Sequence, residues 1–586
     1  MTIRLKLLAG AAAASLVAGV GHAAPPKRHH AATNSTNQAL LDEVKALRSE
    51  VETLRAKVDA TSSTATATQA QVQQTQEQVQ QVQTQVAAAP PVTQTQVDTT
   101  VKTQIAAAVD KEHHNDKFYF KGITITPGGF VEAAGIYRSR FQGDDIASSF
   151  NVPFPGQSHP SHTSEGRFTA RQSRFSLLAQ GNVNKQTTLG MYAEIDFQGA
   201  AQTSNSNQSN SYVPRLRNFY GTIDWNGEHS GLHFLAGQNW SLLTFQSKGM
   251  TPRNEQVPPQ IDAQYIPGFA WARQPGVRLV ADFADHHVWA AIAAENPQTT
   301  FGGTGVPGNY TSVINGQGLT GEALACAGAA ASTCALTPSP NQGVPPGAFQ
   351  QFYNGAGSSL SLNHVPDVIA KVAVDRMVVD HEVHVEGFGM YRTFTDHLDG
   401  TDTNRNAHGF SYGGSIFVNL IPKLLDVQFS GMGGKGMGRY GSAGLPDVTF
   451  DREGREHPLD EFMLLAGATV HASKALDIYG FAGEEQESRK VLDNGAAGYG
   501  LYANDSGCFV EPATTAAAGT CAGNTRRIRQ LTVGVWDKFY QGAFGRAQVG
   551  IQYSYTQRQL FEGIGVDGRP QTHNNMGFVS FRYYPF

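Results

Sequence analysis

From residue 128 to the C-terminus the chain alternates apolar and polar side chains in segments of about 10 to 15 residues, the period-two signature of half-buried strands. Sixteen segments follow the rule: 128–140, 168–181, 186–198, 213–226, 230–240, 269–283, 286–295, 366–378, 381–396, 407–420, 424–434, 459–472, 475–487, 526–539, 543–559 and 575–586. In the third, Leu189, Met191, Ala193, Ile195 and Phe197 oppose Tyr192, Glu194, Asp196 and Gln198. In the ninth, Val383, Val385, Gly387, Gly389 and Tyr391 oppose His384, Glu386, Met390 and Arg392. Each such strand offers one face to an apolar medium and the other to water.

The connections alternate too. Short turns such as Asn226-Gly227, Ala284-Asp285, Val379-Asp380, Ser473-Lys474 and Gln541-Gly542 follow even-numbered segments. Long connections (141–167, 199–212, 241–268, 296–365, 397–406, 435–458, 488–525 and 560–574) follow odd-numbered ones. A barrel with one plain and one decorated rim requires this sorting, whereas a soluble sandwich has no reason for it. The predicted fold class is an all-β transmembrane barrel of about 16 antiparallel strands.

The N-terminal quarter has a different period. Leu40, Leu47, Leu54, Thr61, Thr68, Thr75 and Val82 occupy one heptad position, and Val44, Val51, Val58, Ala65, Val72, Val79 and Val86 occupy another. Apolar residues every 3.5 positions form a seam that a partner helix buries, so the barrel is expected to carry an α-helical coiled coil. Glu43 and Glu50 stand where they pair with Arg48 and Arg55 of a parallel neighbour. The half from Gln69 to Val86 is Gln-rich and weakly apolar, and a polar linker is its other reading. Pro90-Pro91 ends the helix.

Composition agrees with thin-walled β structure: 63 Gly, 32 Phe and 19 Tyr in 586 residues, with 16% charged. After the leader, no run of 18 or more apolar residues suggests a spanning helix. The start reads as an export signal, with Arg4 and Lys6 before an apolar stretch at 7–20 and small residues at Gly21-His22-Ala23. The expected organisation is a signal at 1–23, a linker at 24–39, a periplasmic coiled coil at 40–89, a linker at 90–116 and an outer-membrane barrel at 117–586.

Four cysteines form two close pairs in long connections, Cys326 with Cys334 and Cys508 with Cys521, which reads as two disulfide clips in an oxidising compartment. Neither pair has neighbours at zinc-ligand spacing, and the doublets His29-His30, His113-His114 and His286-His287 point to opposite sides of an extended chain. No metal and no cofactor is expected. A net charge of -5 without a basic motif argues against nucleic acid. No convincing catalytic constellation of the Gly-x-Ser-x-Gly kind suggests an enzyme. The runner-up to a channel is a structural tether, in which the barrel anchors the coiled-coil spacer.

Basic residues concentrate in the first half of the barrel: Arg138, Arg140, Arg167, Arg171, Arg174, Arg215, Arg217, Arg273 and Arg278. A guanidinium binds carboxylate and phosphate oxygens in pairs, so a line of them along a lumen attracts anions. The bland alternative places several of them at the membrane boundary, against lipopolysaccharide phosphates. Arg215 and Arg217 share parity with Phe219, Ile223 and Trp225, which should face lipid, so a bulge or a headgroup location is needed.

Leader, heptads, sixteen segments and the C-terminal Phe586 together resemble the DcaP-like porins, within the wider phosphate-selective group. Arg171-Gln172-Ser173-Arg174-Phe175 and Pro214-Arg215-Leu216-Arg217-Asn218-Phe219-Tyr220-Gly221 are the patches that carry the likeness. The resemblance implies a homotrimer whose N-terminal coiled coils meet in the periplasm; barrel walls in contact, outer-membrane lipid and lipopolysaccharide are expected partners, and the N-terminal place of the coiled coil makes peptidoglycan a further one. It implies an anion-preferring pore for small solutes such as dicarboxylates. It also implies that the third long connection, 241–268, folds inward as a constriction carrying Lys248, Arg253, Glu255 and Asp262. The Lys-rich cluster of a dedicated phosphate channel is absent, so phosphate specificity is not implied.

Overall fold

A computed structural model describes residues 117–157, 159–199, 213–303, 361, 363–398, 403–452, 455–511 and 521–586. The signal, both linkers, the heptad segment and the Cys326 with Cys334 pair lie outside the described residues. The wall consists of β1 (Ile123–Arg138), β2 (two pieces, Glu165–Thr169 and Arg174–Asn182), β3 (Thr187–Asp196), β4 (Arg215–Asn226), β5 (Gly231–Trp240), β6 (Arg273–Phe283), β7 (Val288–Glu295) and β8 (Asp367–Val378). It continues through β9 (His381–Leu398), β10 (Thr403–Ile421), β11 (Leu425–Lys435), β12 (Asp460–His471), β13 (Leu476–Glu487), β14 (Thr525–Gly542), β15 (Gly545–Leu560) and β16 (Gln571–Tyr584).

Every strand pairs antiparallel with its sequence neighbours, and β1 closes on β16 from Val131↔Tyr583 to Arg138↔Met576. The result is a closed sixteen-strand antiparallel barrel, which leaves no free edge and satisfies the backbone groups of the wall internally. The alternation sorts as expected. Leu189, Met191, Phe219, Ile223, Leu279, Ile292, Val372 and Val579 are exposed on the outer face, while Asp196, Lys371, Glu386, Arg392, Gln552 and Ser580 are buried within.

One expected long connection is corrected. β9 runs to Leu398 and β10 starts at Thr403, so most of 397–406 extends the hairpin. The backbone ladder is indifferent to side-chain polarity beyond the apolar band, so polar residues such as Asn404 and Asn406 stay in strand. β2 is interrupted at 170–173, where Ser173 N–H bonds back to the Ala170 carbonyl at 3.1 Å and the Glu132 N–H donates to Ser173 Oγ at 3.0 Å.

Among the described residues, stretches of the connections at 141–167, 241–268 and 435–458 fold into the lumen. Ile146, Phe150, Ile261, Ile266, Phe269, Tyr440, Ala443 and Leu445 are buried in the resulting apolar clusters. In the connection after β13, Cys508 and Cys521 form a disulfide.

Candidate pore constriction

Residues 241–272, between β5 and β6, carry Leu242, Leu243, Phe245, Met250, Ile261, Tyr265, Ile266, Phe269 and Trp271. All nine are buried, and removing so much apolar surface from water drives the loop inward. Polar contacts then fix its path. The Leu242 N–H donates to Glu295 on β7 at 2.7 Å, Lys371 on β8 donates to the Thr244 carbonyl at 3.0 Å, and the Gly249 N–H donates to Asp375 on β8 at 3.1 Å. Farther along, Trp536 of β14 donates to the Pro259 carbonyl at 2.7 Å, and the Ile261 N–H donates to Gln552 of β15 at 2.5 Å. The Gly268 N–H returns the chain to Glu485 of β13 at 2.7 Å. β14 lies nine places on from β5 in a ring of sixteen, so the loop crosses the lumen from wall to opposite wall.

Beside it the wall bears a charged cluster. Arg215 holds Asp196 bidentately at 3.0 and 2.7 Å. Arg217 reaches Glu194 at 2.5 Å and Asp196 at 3.0 Å. The β3–β4 register slips between Glu194↔Asn218 and Ile195↔Leu216, which leaves Arg217 as the extra residue of a β-bulge. Leu216 and Phe219 therefore stay outside while Arg217, 2% exposed, turns inward.

Arg174 on β2 and Arg273 on β6 complete the cluster. The Arg174 guanidinium lies 3.5 Å from the Tyr265 hydroxyl, and that of Arg273 lies 4.7 Å from the centre of the Trp240 ring. Among the described residues neither has a carboxylate partner. Four guanidiniums thus face two carboxylates, Glu194 and Asp196, for a surplus of two positive charges while Tyr265 is neutral. Burial alone would raise the Tyr265 phenol, but Arg174, Arg217 and Arg273 outweigh it and bring it down to about 7.

The remaining predicted residues sit elsewhere. Arg138 is fully buried and bonds Ser148, Glu165 and the carbonyls of Asp144 and Asp145, stapling the first inward loop to β1 and β2. Arg140 donates to the His573 carbonyl at 2.8 Å. Arg171 donates to the carbonyls of Phe197 and Gly199 and stands 3.6 Å from Asp145. Arg278 is spent on the Trp240 carbonyl at 2.6 Å. On the crossing loop, Lys248 is exposed, and so is Arg253, which donates to the Tyr220 hydroxyl at 3.4 Å. Burial pushes Glu255 up, against the opposing pull of Arg278 and Arg253. Asp262 is 1% exposed and accepts the N–H groups of Ser148 at 3.1 Å and Gln264 at 2.9 Å, so it ties two loops together.

Three residues of this site escaped the sequence reading. Tyr265 is an aromatic in an apolar run with no motif around it. Glu194 and Asp196 were legible only as the polar face of their strand. A further buried network, in which Arg392 holds Asp367 at 3.0 Å and Asp447 at 2.7 Å while Arg439 donates to the Gln298 carbonyl at 2.7 Å, pins the loop after β11 within the barrel.

No family model matches the sequence, and no curated protein matches it. Among solved structures, the outer membrane channel DcaP of Acinetobacter baumannii is similar, with a TM-score of 0.50 and 15% identity over 80% of this chain and 99% of that one. The anion-selective porin from Comamonas acidovorans aligns at a TM-score of 0.38 with 9% identity over 79% and 99% of the two chains. OmpF of Salmonella typhi aligns at 0.40 with 10% identity over 80% and 100%. The described barrel therefore resembles the DcaP outer membrane channel in fold, as its sequence pattern implied.

Proposed function

We propose that the protein is an outer-membrane porin, a water-filled channel for passive diffusion of small anionic or polar solutes, and not an enzyme. The observation that carries this reading is a loop spanning the lumen beside a wall cluster with two surplus positive charges. A pore selects by its width and by the charge of its narrowest ring. Arg174 and Arg273 flank Tyr265 without an ion pair of their own among the described residues, so a solute with two carboxylates has a guanidinium for each end. Dicarboxylate-like anions are the solutes that best exploit two such donors. The channel assembles as a homotrimer through its barrel walls and its periplasmic coiled coil, which reaches toward peptidoglycan.

The test is a reversal potential across a planar bilayer under a salt gradient. The parent channel is expected to prefer anions, and Arg174→Gln with Arg273→Gln is expected to bring the permeability ratio close to unity. Arg171→Gln should change the ratio less than the double variant, because its guanidinium already serves two backbone carbonyls and Asp145. A cation-selective parent would refute the arginine argument. A folded protein without conductance would favour the tether.

A further inference from the structure

Near the long-connection rim, strand β14 reads Thr525-Arg526-Arg527-Ile528-Arg529. Its register with β15 slips between Thr525↔Leu560 and Arg527↔Gln559, so Arg526 is an extra residue. Leu560 and Arg558 are buried inward, which places Gln559 outward, and Arg526 donates to Gln559 Oε1 at 3.1 Å. The bulge therefore turns two adjacent arginines to the outer face, where strict alternation allows one. Arg529, 48% exposed, joins them, and Arg569 from the connection before β16 lies within electrostatic range. The carboxylate in this group is Glu484, which Arg529 contacts at 2.5 Å and Arg527 at 4.0 Å.

Directly adjoining this cluster, the outer wall is dented. Phe429, Leu464, Ala466, Ala482, Leu531 and Tyr555 line a groove of about 420 Å³, with Glu484 and Arg529 at one end. The two alanines lie between larger side chains, and Phe429 and Leu531 are 46% and 51% exposed. An arginine facing hydrocarbon at the membrane midplane costs about 2–4 kcal/mol, a cost that falls away near the interface. Four of them beside an apolar groove match an amphiphile with an anionic head and a greasy tail. Guanidinium forks fit phosphate oxygens, and the long-connection rim faces the outer leaflet if the channel reading holds.

We infer that this groove and its arginine cluster form a binding site for a phosphorylated, acylated lipid of the outer leaflet, the lipid A part of lipopolysaccharide. A phosphate replaces water on Arg526, Arg527 and Arg529, and an acyl chain lies across Ala466 and Ala482. The inference rests on the outer-membrane reading for its orientation, and it can fail independently of it.

The test uses the full chain purified in detergent, with bisphosphorylated lipid A added and retention read by native mass spectrometry. The wild type is expected to retain lipid A. Arg526→Gln with Arg527→Gln and Arg529→Gln should lower affinity on the order of 100-fold, at about 1 kcal/mol for each arginine. Ala482→Phe, which fills the groove without touching a charge, should also weaken retention. Unchanged single-channel conductance in each variant shows that the barrel is folded, because none of these residues faces the lumen. Wild-type retention by the triple variant would overturn the assignment. So would equal binding of dephosphorylated lipid A, or displacement by inorganic phosphate at matching concentration. A change of oligomeric state in the variants would make this face a contact between copies of the chain, and would overturn it as well. Lipid A retention by a parent that does not conduct would instead remove the channel reading alone.

Discussion

Tyr265 holds its phenol among three guanidiniums, and its sequence context gives no hint of that setting. Its neighbours Ile266, Pro267 and Gly268 read as an apolar turn, and the arginines that act on it come from β2, β4 and β6. Because its pKa is lowered to about 7 from the ordinary 10, the phenolate adds a negative charge to the cluster as pH rises past 7. Anion preference is therefore expected to fall between pH 6 and 8, and Tyr265→Phe should abolish that part of the pH dependence. A reversal-potential titration of the two proteins checks it, and identical pH profiles would sink the idea. Asp262 behaves in the opposite sense. Burial raises its carboxyl to about 6 from 3.8, against the pull of Arg138 and of the Gln264 and Ser148 hydrogen bonds. The folded state then binds more protons than the unfolded one between these values. Stability is lost as pH rises through that window, with the deficit complete above about 6. Asn at this position still accepts both N–H groups without the charge. Asp262→Asn should thus raise the unfolding temperature at pH 8, with an upper limit of about 3 kcal/mol, and bring no gain at pH 4. The residue types of the cluster were legible in the sequence. Their partners were not, since a strand's arginine meets a carboxylate, a carbonyl or open lumen according to loops that fold far from it in sequence.

The crossing loop shows what an element adds to its residues. Its inward course followed from the resemblance, but the anchors on β7, β8, β13, β14 and β15 come from five strands that share no motif with it. Gly268 marks the tightest of them. Its φ is +88°, and a Cβ there would stand 2.0 Å from the Leu464 carbonyl oxygen. Gly268→Ala is expected to release this end of the loop, destabilising the protein by about 1–3 kcal/mol. Single-channel conductance should rise as the lumen widens, with more frequent fluctuations. Unaltered conductance with unaltered stability would show that the loop does not set the bore. Strand spans were readable from alternation, because a wall between an apolar and a wet medium imposes period two directly. The bulge at Arg217 was readable as a parity conflict. The hairpin extension through 397–406 was not, because backbone pairing continues where side-chain contrast has faded.

For the whole molecule the decisive fact is closure. β1 and β16 share eight register pairs, from Val131↔Tyr583 to Arg138↔Met576, so the last strand seals the first. An open sheet edge in a lipid wall would leave a row of backbone donors and acceptors unsatisfied at several kcal/mol each, and the closed ring has no such edge. The same logic explains why the barrel was visible in the sequence as a whole. Closure demands an even strand count, termini on one rim and connections sorted by parity, all of which leave marks in the order of turns and loops. The heptads are expected to obey a different rule, since a seam repeating every 3.5 residues is one that a partner helix buries. A chain that keeps the proposed export signal at 1–23 but lacks 24–116 is therefore expected to insert and to conduct as single channels of the parent size. If the proposed homotrimer is held in part by the proposed coiled coil, the shortened chain should dissociate at lower temperature than the parent, as read by electrophoresis at graded heating. If removal of the heptads abolishes insertion or conductance, the barrel is not the self-sufficient unit that its closed register implies, and the N-terminal segment works in forming the channel itself.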